Sequence, residues 1–418
     1  MKKKILFTIE WYPSVRSANV LCDTNIIKAL LATGQYEVHC LVYRLKDQKD
    51  IEEIDGIIVH RFSRSWLWNM IMDSYKDTNS FNFRFWYIIN RILLRLKQFL
   101  TIPIYPIYTP LLVLRFMEEA LKLHQQEHFD MVISEHSGMD TVLAGYAIKR
   151  ECPEIKYMPI LWDPIVGGEG AKYLPLKWRY KRLQRLERKI LSVADLMVSM
   201  KSNEHNIRIK EKKYLYKISF LDIPRLVYPE KIEKVEAHTY YREGFINILY
   251  GGVIGSRSVK TFMEICNQTA IPNLNLIFLV STPSNELRQE LNIFKGEYSL
   301  RTYLPHYELL QLMTQCEYVL NVGNGNSRMV PSKIFEYMSY GKSIITTYFD
   351  EQDASLTYLK NYINCHAVNL NADMKAEADT LRRFLLASHS NTDLQAIRSQ
   401  YGDCTPEKYV EQIDVILK

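Results

Sequence analysis

One carboxylate in the sequence is placed for binding chemistry: Glu336, within SRMVPSKIFEYMSYGKSIIT (residues 327–346). Pro331 suits the first position of a helix and Gly341 the position just past its end, so the stretch predicts a helix of about three turns. Four residues share the spacing of one apolar face: Ile334, Tyr337, Met338 and Gly341. Glu336 then projects almost opposite that face, towards water or a cleft. A solvated glutamate on a surface helix is the alternative interpretation.

The residues before this helix indicate a phosphate site. An apolar strand, Tyr318 to Val322, runs into the Gly/Asn/Ser-rich loop GNGNSRMV and then into the helix. Helix N-termini present free backbone N–H groups and a positive partial charge, which suit a phosphate. Strand, loop, helix start and carboxylate together predict a site for a phosphorylated sugar or a nucleotide.

The elements that would position such a site alternate along the chain. Short β-branched runs such as KILFTIE, YEVHCLVYR and DMVISEH are separated by helical stretches, and a second series begins at INILYGGVIGSR. Alternation of this kind predicts parallel sheets with helices on both faces. We therefore expect an α/β protein with two Rossmann-like, doubly wound domains, residues 1–228 and 229–400, facing a central cleft. A C-terminal helix, 401–418, is expected to pack back toward the first domain.

Composition sets limits on the class of protein. A chain of 418 residues with 47% hydrophobic and 24% charged residues is typical of a globular protein of two or more domains. Its net charge of +6 is modest, so charge alone does not indicate a nucleic-acid-binding protein. Seven cysteines with no CxxC pair suit a reducing compartment. The start, MKKKILFTIEWYP, has too short an apolar run for a signal peptide and predicts a first strand.

Residues 79–117 differ from the rest of the chain because they contain no carboxylate. Five basic residues there are interleaved with aromatic ones: Arg84, Arg91, Arg95, Lys97 and Arg115. This mixture suits a membrane interface with anionic head groups, and three prolines make the longest uncharged run unsuited to spanning a bilayer. We weigh a region, 64–117, that lies on a membrane against a pair of core helices. A nucleic-acid groove is a third possibility, but no other basic surface extends this one.

Several segments resemble the GT-B glycosyltransferases, in particular the retaining family 4-type (group 1) enzymes of bacterial polysaccharide assembly. The similarity is strongest over YLPHYELLQLMTQCEYVLNVGNGNSRMVPSKIFEYMSYGKSIITT, residues 303–347. ILYGGVIGSRSVK and RLERKILSVADLMVSMKS match the family at the level of fold pattern. The resemblance implies a GT-B architecture, a nucleoside-diphosphate sugar of UDP or GDP type as donor substrate, and no separate cofactor.

The resemblance also implies roles for individual residues. Glu336 matches a glutamate that accepts hydrogen bonds from both ribose hydroxyls, since a cis-diol presents two donors about the width of one carboxylate. Where the family often has a second glutamate, this chain has Arg328, which could meet an acidic sugar or a phosphate. Departure of a nucleoside diphosphate leaves negative charge on the β-phosphate, which cations stabilise. The candidates are Arg257, Lys260 and Lys333. The other residues implied at the nucleotide-sugar site are Gly252, Tyr303, Asn324 and Ser332.

The first domain should then bind the acceptor. EWYPSVRSAN stands where the family carries a glycine pair near the donor phosphates, so contacts there must differ. His136, Asp163 and Glu169 follow two strands and could reach the cleft; His136 and Asp163 are the candidate catalytic residues. The Asp163 carboxylate could orient the acceptor hydroxyl or stabilise positive charge at the anomeric carbon. A strand-end histidine bonded to backbone is the alternative interpretation of His136.

No metal site is expected. The chain contains no Asp-x-Asp sequence, which disfavours a metal-dependent transferase. The stretch HQQEH, His124 to His128, fits the H-x-x-E-H pattern of a zinc peptidase class. It closes a helix directly before a strand, without a further ligand helix at a suitable distance, so we give it little weight.

Residues and resemblance together predict a glycosyltransferase that moves a hexose-type sugar to an acceptor hydroxyl, with retention, in cell-surface polysaccharide or glycolipid biosynthesis. Its expected partners are a nucleotide-sugar donor, a glycan or lipid-linked acceptor and a membrane surface, without nucleic acid. Its expected location is the cytoplasm, at the inner face of the cytoplasmic membrane. A sugar-nucleotide epimerase of the same fold and a catalytically silent GT-B-like scaffold or regulatory partner are the alternatives.

Overall fold

The computed structural model describes the chain apart from residues 1, 14–16, 46, 65, 75–80, 137, 167–172, 230–231, 233–238, 256, 303, 324–329 and 390–391, and apart from the side chains at 66 and 72. The chain divides into two compact units. The first unit combines Met1–Pro224 with Pro406–Lys418, and the second is Arg225–Thr405. The C-terminal helix therefore belongs to the first unit.

The first unit is built on one sheet. Its strands are β1 (Lys3–Thr8), β2 (Tyr36–Arg44), β3 (Ile51–Ile54), β4 (Ile57–Ser63), β5 (Met131–Glu135), β6 (Lys156–Leu161), β7 (Met197–Met200) and β8 (Ile218–Leu221). Its helices are α1 (Ala18–Ala32), α2 (Trp66–Ser74), α3 (Phe81–Leu100), α4 (Pro110–Glu127), α5 (Met139–Glu151), α6 (Leu176–Val193), α7 (Glu204–Lys210) and α15 (Pro406–Leu417). Over the described residues the strand order is β3-β4-β2-β1-β5-β6-β7-β8, and the pairs are parallel except β3 with β4.

This sheet is buried on both faces, as its continuous apolar strands predict. Along β1, Ile5 and Phe7 pack into one hydrophobic cluster and Leu6 into the other, because successive side chains of a strand point to opposite faces. The helix α15 closes the first of these clusters with Tyr409, whose hydroxyl donates to the Asp222 carbonyl at 2.7 Å. The C-terminal segment is therefore part of the core of the first unit.

The second unit repeats the plan with a smaller sheet. Its strands are β9 (Ile246–Gly252), β10 (Leu274–Val280), β11 (Glu297–Arg301), β12 (Tyr318–Val322), β13 (Ser343–Tyr348) and β14 (Cys365–Asn369). Its helices are α8 (Lys260–Gln268), α9 (Asn285–Leu291), α10 (His306–Gln315), α11 (Lys333–Ser339), α12 (Ala354–Leu359), α13 (Met374–Leu386) and α14 (Leu394–Gln400). Within the described ranges all pairs are parallel, in the order β11-β10-β9-β12-β13-β14.

The strand order reverses at one place in each sheet. In the second unit the chain builds outward from β9 to β11 and then returns to the other side of β9 with β12. Connections leave the neighbouring strands β9 and β12 in opposite directions there, which opens a crevice at their carboxyl ends where doubly wound folds bind ligands. The first unit has its reversal between β1 and β5.

The helix that carries Glu336 is shorter than the predicted three turns. It begins at Lys333, with Ser332 as the residue before it, so Pro331 precedes the helix instead of occupying its first position. Gly341 ends it with φ +64°, as a glycine after a helix allows. A side chain at 341 would meet the Thr392 hydroxyl oxygen at 2.3 Å from its Cβ, so the close approach of a neighbouring loop also requires glycine.

The basic and aromatic region forms two helices of different character. The helix α4 is anchored by buried residues that include Val113 and Phe116, whereas none of the twenty residues of α3 is buried. The interpretation as a pair of core helices is therefore wrong for α3. In the part of the chain that the structure describes, no helix combines the length and hydropathy needed to cross a membrane.

Candidate functional site

The carboxyl end of β9 lies directly beneath a lysine. Lys333, the first residue of α11, donates a hydrogen bond from Nζ to the Gly251 carbonyl oxygen. A Cβ on Gly252, where φ is +156°, would lie 2.9 Å from the same Nζ. The backbone conformation favours glycine at 252, and a side chain there would displace the lysine ammonium from its present position. The predicted site residues Gly252 and Lys333 are brought together at the point where the strand order reverses.

The charge around Lys333 is unbalanced. Burial lowers the pKa of Lys333 to about 8, Glu336 opposes this decrease, and Arg225 and Arg257 add to it by repulsion. Two arginines thus act on Lys333 beside a single carboxylate. Such a cluster favours an additional anion, because both arginines destabilise the positive charge of Lys333.

Glu336 is largely buried and forms an ion pair, unlike the solvated surface glutamate of the alternative interpretation. Its Oε1 atom lies 3.0 Å from Nη2 of Arg225 and 3.9 Å from Nε2 of His306. The side chains of Glu336 and Arg225 are 15% and 6% exposed, so the ion pair is largely removed from water. A carboxylate has about four lone-pair positions, so one arginine N–H leaves capacity for a diol.

Arg225 is the residue that the sequence did not reveal. It belongs to the segment 225–228, which runs along α11: the Val227 N–H donates to the Ser339 hydroxyl at 3.2 Å. Arg398 also donates to the Leu226 carbonyl and stacks over the ring of Tyr228 at 4.1 Å. The one available signal was an arginine within the mostly apolar stretch FLDIPRLVYP, which also contains Asp222.

The two other predicted phosphate ligands are placed differently. Arg257 donates from Nε to the Ile254 carbonyl at 2.8 Å and from Nη1 to the Val322 carbonyl at 2.9 Å. These bonds connect the loop after β9 to the end of β12, so Arg257 contributes a fixed positive charge through a largely committed guanidinium. Lys260 is the first residue of α8 and is exposed.

The remaining nucleotide-site predictions fall partly outside the described residues. Tyr303, Asn324 and Arg328 lie there, and so does Glu169 of the first unit. Ser332 is half-buried immediately before α11, and its side chain makes no capping hydrogen bond to the helix.

In the first unit the two candidate catalytic residues meet, but through a backbone atom. Nδ1 of His136 lies 3.0 Å from the Asp163 carbonyl oxygen. A carbonyl oxygen can only accept, so Nδ1 carries the hydrogen and Nε2 presents a lone pair. Burial lowers the pKa of His136, which keeps the ring neutral at pH 7. The Asp163 side chain is exposed.

A polar cluster that was not predicted from the sequence lies beside His136. The carboxyl of Asp140 accepts a hydrogen bond from the Tyr43 hydroxyl. Burial raises the pKa of Glu10, the nearby Asp140 raises it further, and Arg64 lowers it. Tyr43 lies near the end of β2, and Glu10, Arg64 and Asp140 follow β1, β4 and β5, so only the strand order brings them together. The acids lie within two residues of strand ends or helix starts, which is the weak signal that the sequence offered.

The HQQEH stretch does not assemble as a zinc site within the described residues. Glu127 accepts a hydrogen bond from Lys4 Nζ at 2.8 Å, whereas His124 lies near Cys152 and Glu154. His128 ends α4 in a left-handed conformation, with φ 54°. The residues of this motif are therefore engaged separately.

Comparison with known proteins identifies the architecture. No protein-family model matches the chain, and no curated protein sequence matches it. Among solved structures, the N-terminal domain of Candida albicans trehalose-6-phosphate phosphatase is similar with a TM-score of 0.62 and 12% identity, over 100% of this chain and 97% of that one. A UDP-forming α,α-trehalose-phosphate synthase from Burkholderia xenovorans, in complex with glucose-6-phosphate, gives 0.60 and 10% over 99% of each chain.

A third similar structure is a protein from Listeria monocytogenes assigned as a UDP-N-acetylglucosamine 2-epimerase. It has a TM-score of 0.57 and 12% identity, covering 98% of this chain and 95% of that one. The chain has the GT-B fold. At these identities the similarity identifies the fold, and the chemistry has to be inferred from the site.

The environment of Lys333 generates a direct prediction. After reductive ¹³C-methylation of the lysines, which preserves their charge, NMR titration should show one lysine signal with a midpoint near pH 8. That signal should be missing from Lys333→Arg. A midpoint near the ordinary lysine value of about 10.4 for the Lys333 signal would contradict the buried, cation-rich environment. Lys342→Arg is the matched control, because burial also lowers the pKa of Lys342 but its Nζ donates to the Cys316 carbonyl, away from the glycines.

Proposed function

We propose that this protein is a glycosyltransferase that takes a sugar from a nucleoside-diphosphate sugar, of UDP or GDP type, to an acceptor hydroxyl. The cluster of Gly251, Gly252, Lys333, Glu336 and Arg225 at the strand-order reversal of the second unit is the observation that supports this function best. Trehalose-phosphate synthase, UDP-forming, is among the proteins of similar fold and adds support for a sugar-transfer reaction.

The cationic half of this cluster suits the diphosphate. Departure of a nucleoside diphosphate concentrates negative charge on the β-phosphate, and preorganised cations stabilise that charge without a metal. Lys333 Nζ lies over the glycine backbone, so a phosphate can approach closely there. Binding an anion restores the charge balance among Lys333, Arg225 and Arg257.

The anionic half suits the ribose. Glu336 retains lone pairs for two hydroxyl donors after pairing with Arg225, and that pairing restricts the rotation of its carboxylate. Arg225 is therefore a positioning residue in this proposal. A carboxylate held in this way loses less side-chain entropy on binding than a free glutamate would.

The first unit supplies the acceptor side. His136 presents an unprotonated Nε2, which can accept a hydrogen bond from a substrate hydroxyl, while its Nδ1 stays fixed on the Asp163 carbonyl. The exposed Asp163 carboxylate can orient a second hydroxyl. Transfer replaces the bond from the anomeric carbon to the β-phosphate oxygen with a bond to the acceptor oxygen. The acceptor hydroxyl proton passes to Nε2 of His136 and the nucleoside diphosphate leaves, and we propose that the configuration is retained.

The finer assignment follows the resemblance stated above. We propose that the acceptor is a glycan or a lipid-linked sugar of polysaccharide or glycolipid assembly, at the cytoplasmic face of a membrane, and that no metal or other cofactor is needed. A sugar-nucleotide epimerase is the second candidate, because a protein assigned as a UDP-N-acetylglucosamine 2-epimerase shares the fold. An epimerase would need no acceptor.

The donor experiment separates these functions. Calorimetric titration with UDP, GDP, CDP and ADP, in EDTA, should show selective binding of one diphosphate. Incubation with the matching nucleotide sugars should then release the diphosphate only when a lipid-linked or glycan acceptor is added. A new nucleotide sugar formed without acceptor would support the epimerase, and binding with neither product would indicate a silent scaffold. Binding of none of the four diphosphates would overturn the proposal.

Glu336 should bind the ribose and not merely hold Arg225. Glu336→Ala should weaken binding of the selected diphosphate by about 1.5–3 kcal/mol, the range for hydrogen bonds to a charged group. The 2′-deoxy analogue should bind the unmodified protein less tightly than the ribonucleotide does, but bind Glu336→Ala equally well. Both nucleotides are compared by calorimetry with all variants.

Ser339→Ala is the matched control for this experiment, since it loosens the same 225–228 segment from α11 without reaching a ligand. It should leave the preference for the ribonucleotide intact. If Glu336→Ala reduces the affinity for both nucleotides by the same factor, the carboxylate has only a structural role.

Replacing His136 should lower turnover without changing the affinity for the donor diphosphate. His136→Asn keeps an N–H that can donate to the Asp163 carbonyl but removes the Nε2 lone pair. We expect turnover to fall by about a hundredfold or more, the scale for a lost general acid–base group, with an unchanged diphosphate Kd. Because burial lowers the pKa of His136, the loss of turnover on acidification should set in below the ordinary histidine pKa, where the ring becomes protonated. Equal turnover for the variant and the unmodified protein would exclude this role.

A further inference from the structure

The helix α3 contributes no buried residue to the core of the first unit. It runs for twenty residues, Phe81–Leu100, and none of them is buried. Phe83, Trp86 and Leu93 on one side are half-buried, while the opposite side is open. A helix of this length and amphipathic pattern normally buries its apolar stripe against something.

The exposed side carries a continuous apolar stripe. Its members follow one another at intervals of three or four residues along the whole helix: Phe81, Phe85, Ile88, Ile92, Leu96 and Phe99. Each of these side chains is at least 47% exposed, and Phe81 reaches 84%. At 100° per residue the six fall within about 80° of arc, so they form one surface about 30 Å long.

Three arginines line one edge of this stripe: Arg84, Arg91 and Arg95. Each lies within about 60–100° of the centre of the stripe, which lets a guanidinium reach outward beside the apolar surface. The sequence from 79 to 117 contains no carboxylate, so no acidic side chain of this helix neutralises them. The surface therefore combines exposed hydrophobic area with positive charge that no carboxylate of the same helix neutralises.

The end of α3 is fixed to the body of the first unit. Thr101 and Tyr105 directly after it are buried, and the Tyr105 ring lies 5.6 Å from that of Trp178, at an angle of 40°. The stripe is thus presented by a helix with a firm attachment. A second copy of α3 would bring further arginines and no carboxylate, so association between two such surfaces is disfavoured by charge.

We propose that α3 binds the surface of a membrane that contains anionic lipids, lying in the plane of the bilayer with the six apolar side chains below the head groups. Phosphate groups of the lipids then pair with Arg84, Arg91 and Arg95 at the edge. This follows from charge complementarity together with the exposed stripe. It is independent of the donor site, since α3 belongs to the first unit and Lys333 and Glu336 to the second.

Vesicle flotation tests this surface. The full-length protein should bind vesicles of phosphatidylcholine with 30% phosphatidylglycerol, and bind pure phosphatidylcholine vesicles much less. Replacing Arg84, Arg91 and Arg95 by Gln should weaken binding at low salt by about a hundredfold, since each charge contributes about fivefold near an anionic surface. Ile88→Gln with Ile92→Gln should also weaken binding, and its effect should persist at high salt.

The matched control removes the same charge from another exposed basic helix. Lys177, Lys181 and Arg185 on α6 are all exposed, and their replacement by Gln should change binding by less than fivefold. Equal losses for the α3 and α6 triple variants would overturn the proposal, as would equal binding to vesicles with and without anionic lipid. Because α3 buries none of its residues, its variants should fold normally, and an unchanged thermal unfolding midpoint confirms this. A negative vesicle result would not bear on the proposed donor site, and a negative diphosphate titration would not bear on the proposed membrane surface.

Discussion

The close approach of the Lys333 ammonium to the backbone of Gly251 and Gly252 is the constraint on which the second unit depends. A Cβ at 252 would lie 2.9 Å from Nζ, so a side chain at the end of β9 would displace the ammonium from this position. The close approach also fixes the start of α11 against β9, and so the direction in which Glu336 projects. The cost is a buried ammonium whose pKa falls to about 8. A fold that retains such a lysine at its strand-order reversal keeps a positive charge where it can act on an anion.

The pair of Glu336 and Arg225 has two tasks that need to be distinguished. As an ion pair it attaches the segment 225–228 to α11, together with the bond from Val227 to Ser339. As a carboxylate with remaining lone pairs it is a ready acceptor for two hydroxyls. Largely buried ion pairs contribute little net stability, because desolvation offsets their attraction, so stability alone is a weak reason for this pair. Orientation of a ligand-binding carboxylate explains the arrangement more economically.

Much of the fold could be predicted from the sequence. Alternating apolar runs indicate parallel strands, and the fold comparison confirms an α/β protein of GT-B architecture. The helix around Glu336 was predictable because its signals are local: a proline, a glycine and an apolar spacing within fifteen residues. Its first turn was misplaced, since Pro331 lies before the helix and not within it. Boundaries of this kind depend on tertiary contacts that local signals do not contain.

The partners of the site residues could not be predicted in the same way. Arg225 meets Glu336 across 111 positions of sequence, and Tyr43 meets Asp140 across 97. Both contacts follow from the strand order, and a period of hydrophobicity carries no information about which strands become neighbours. Charged residues in mostly apolar stretches, such as Arg225 in FLDIPRLVYP, are the residual signal, because an arginine that must be buried needs a partner.

The two regions proposed to bind phosphate hold their positive charge in different ways. Around Lys333 the charges are few, partly buried and fixed by hydrogen bonds to backbone carbonyls, so they act at short range and with little screening by salt. Along α3 the arginines are exposed and adjacent to a long apolar stripe, so they act weakly one by one and together only against an extended anionic surface. A small anion gains most from the first arrangement because it can satisfy several fixed donors at once. A lipid surface gains most from the second, since only an extended partner can cover six exposed apolar side chains and three arginines together. The two proposals thus assign different phosphate partners to the two units because the units bury their positive charge to different depths.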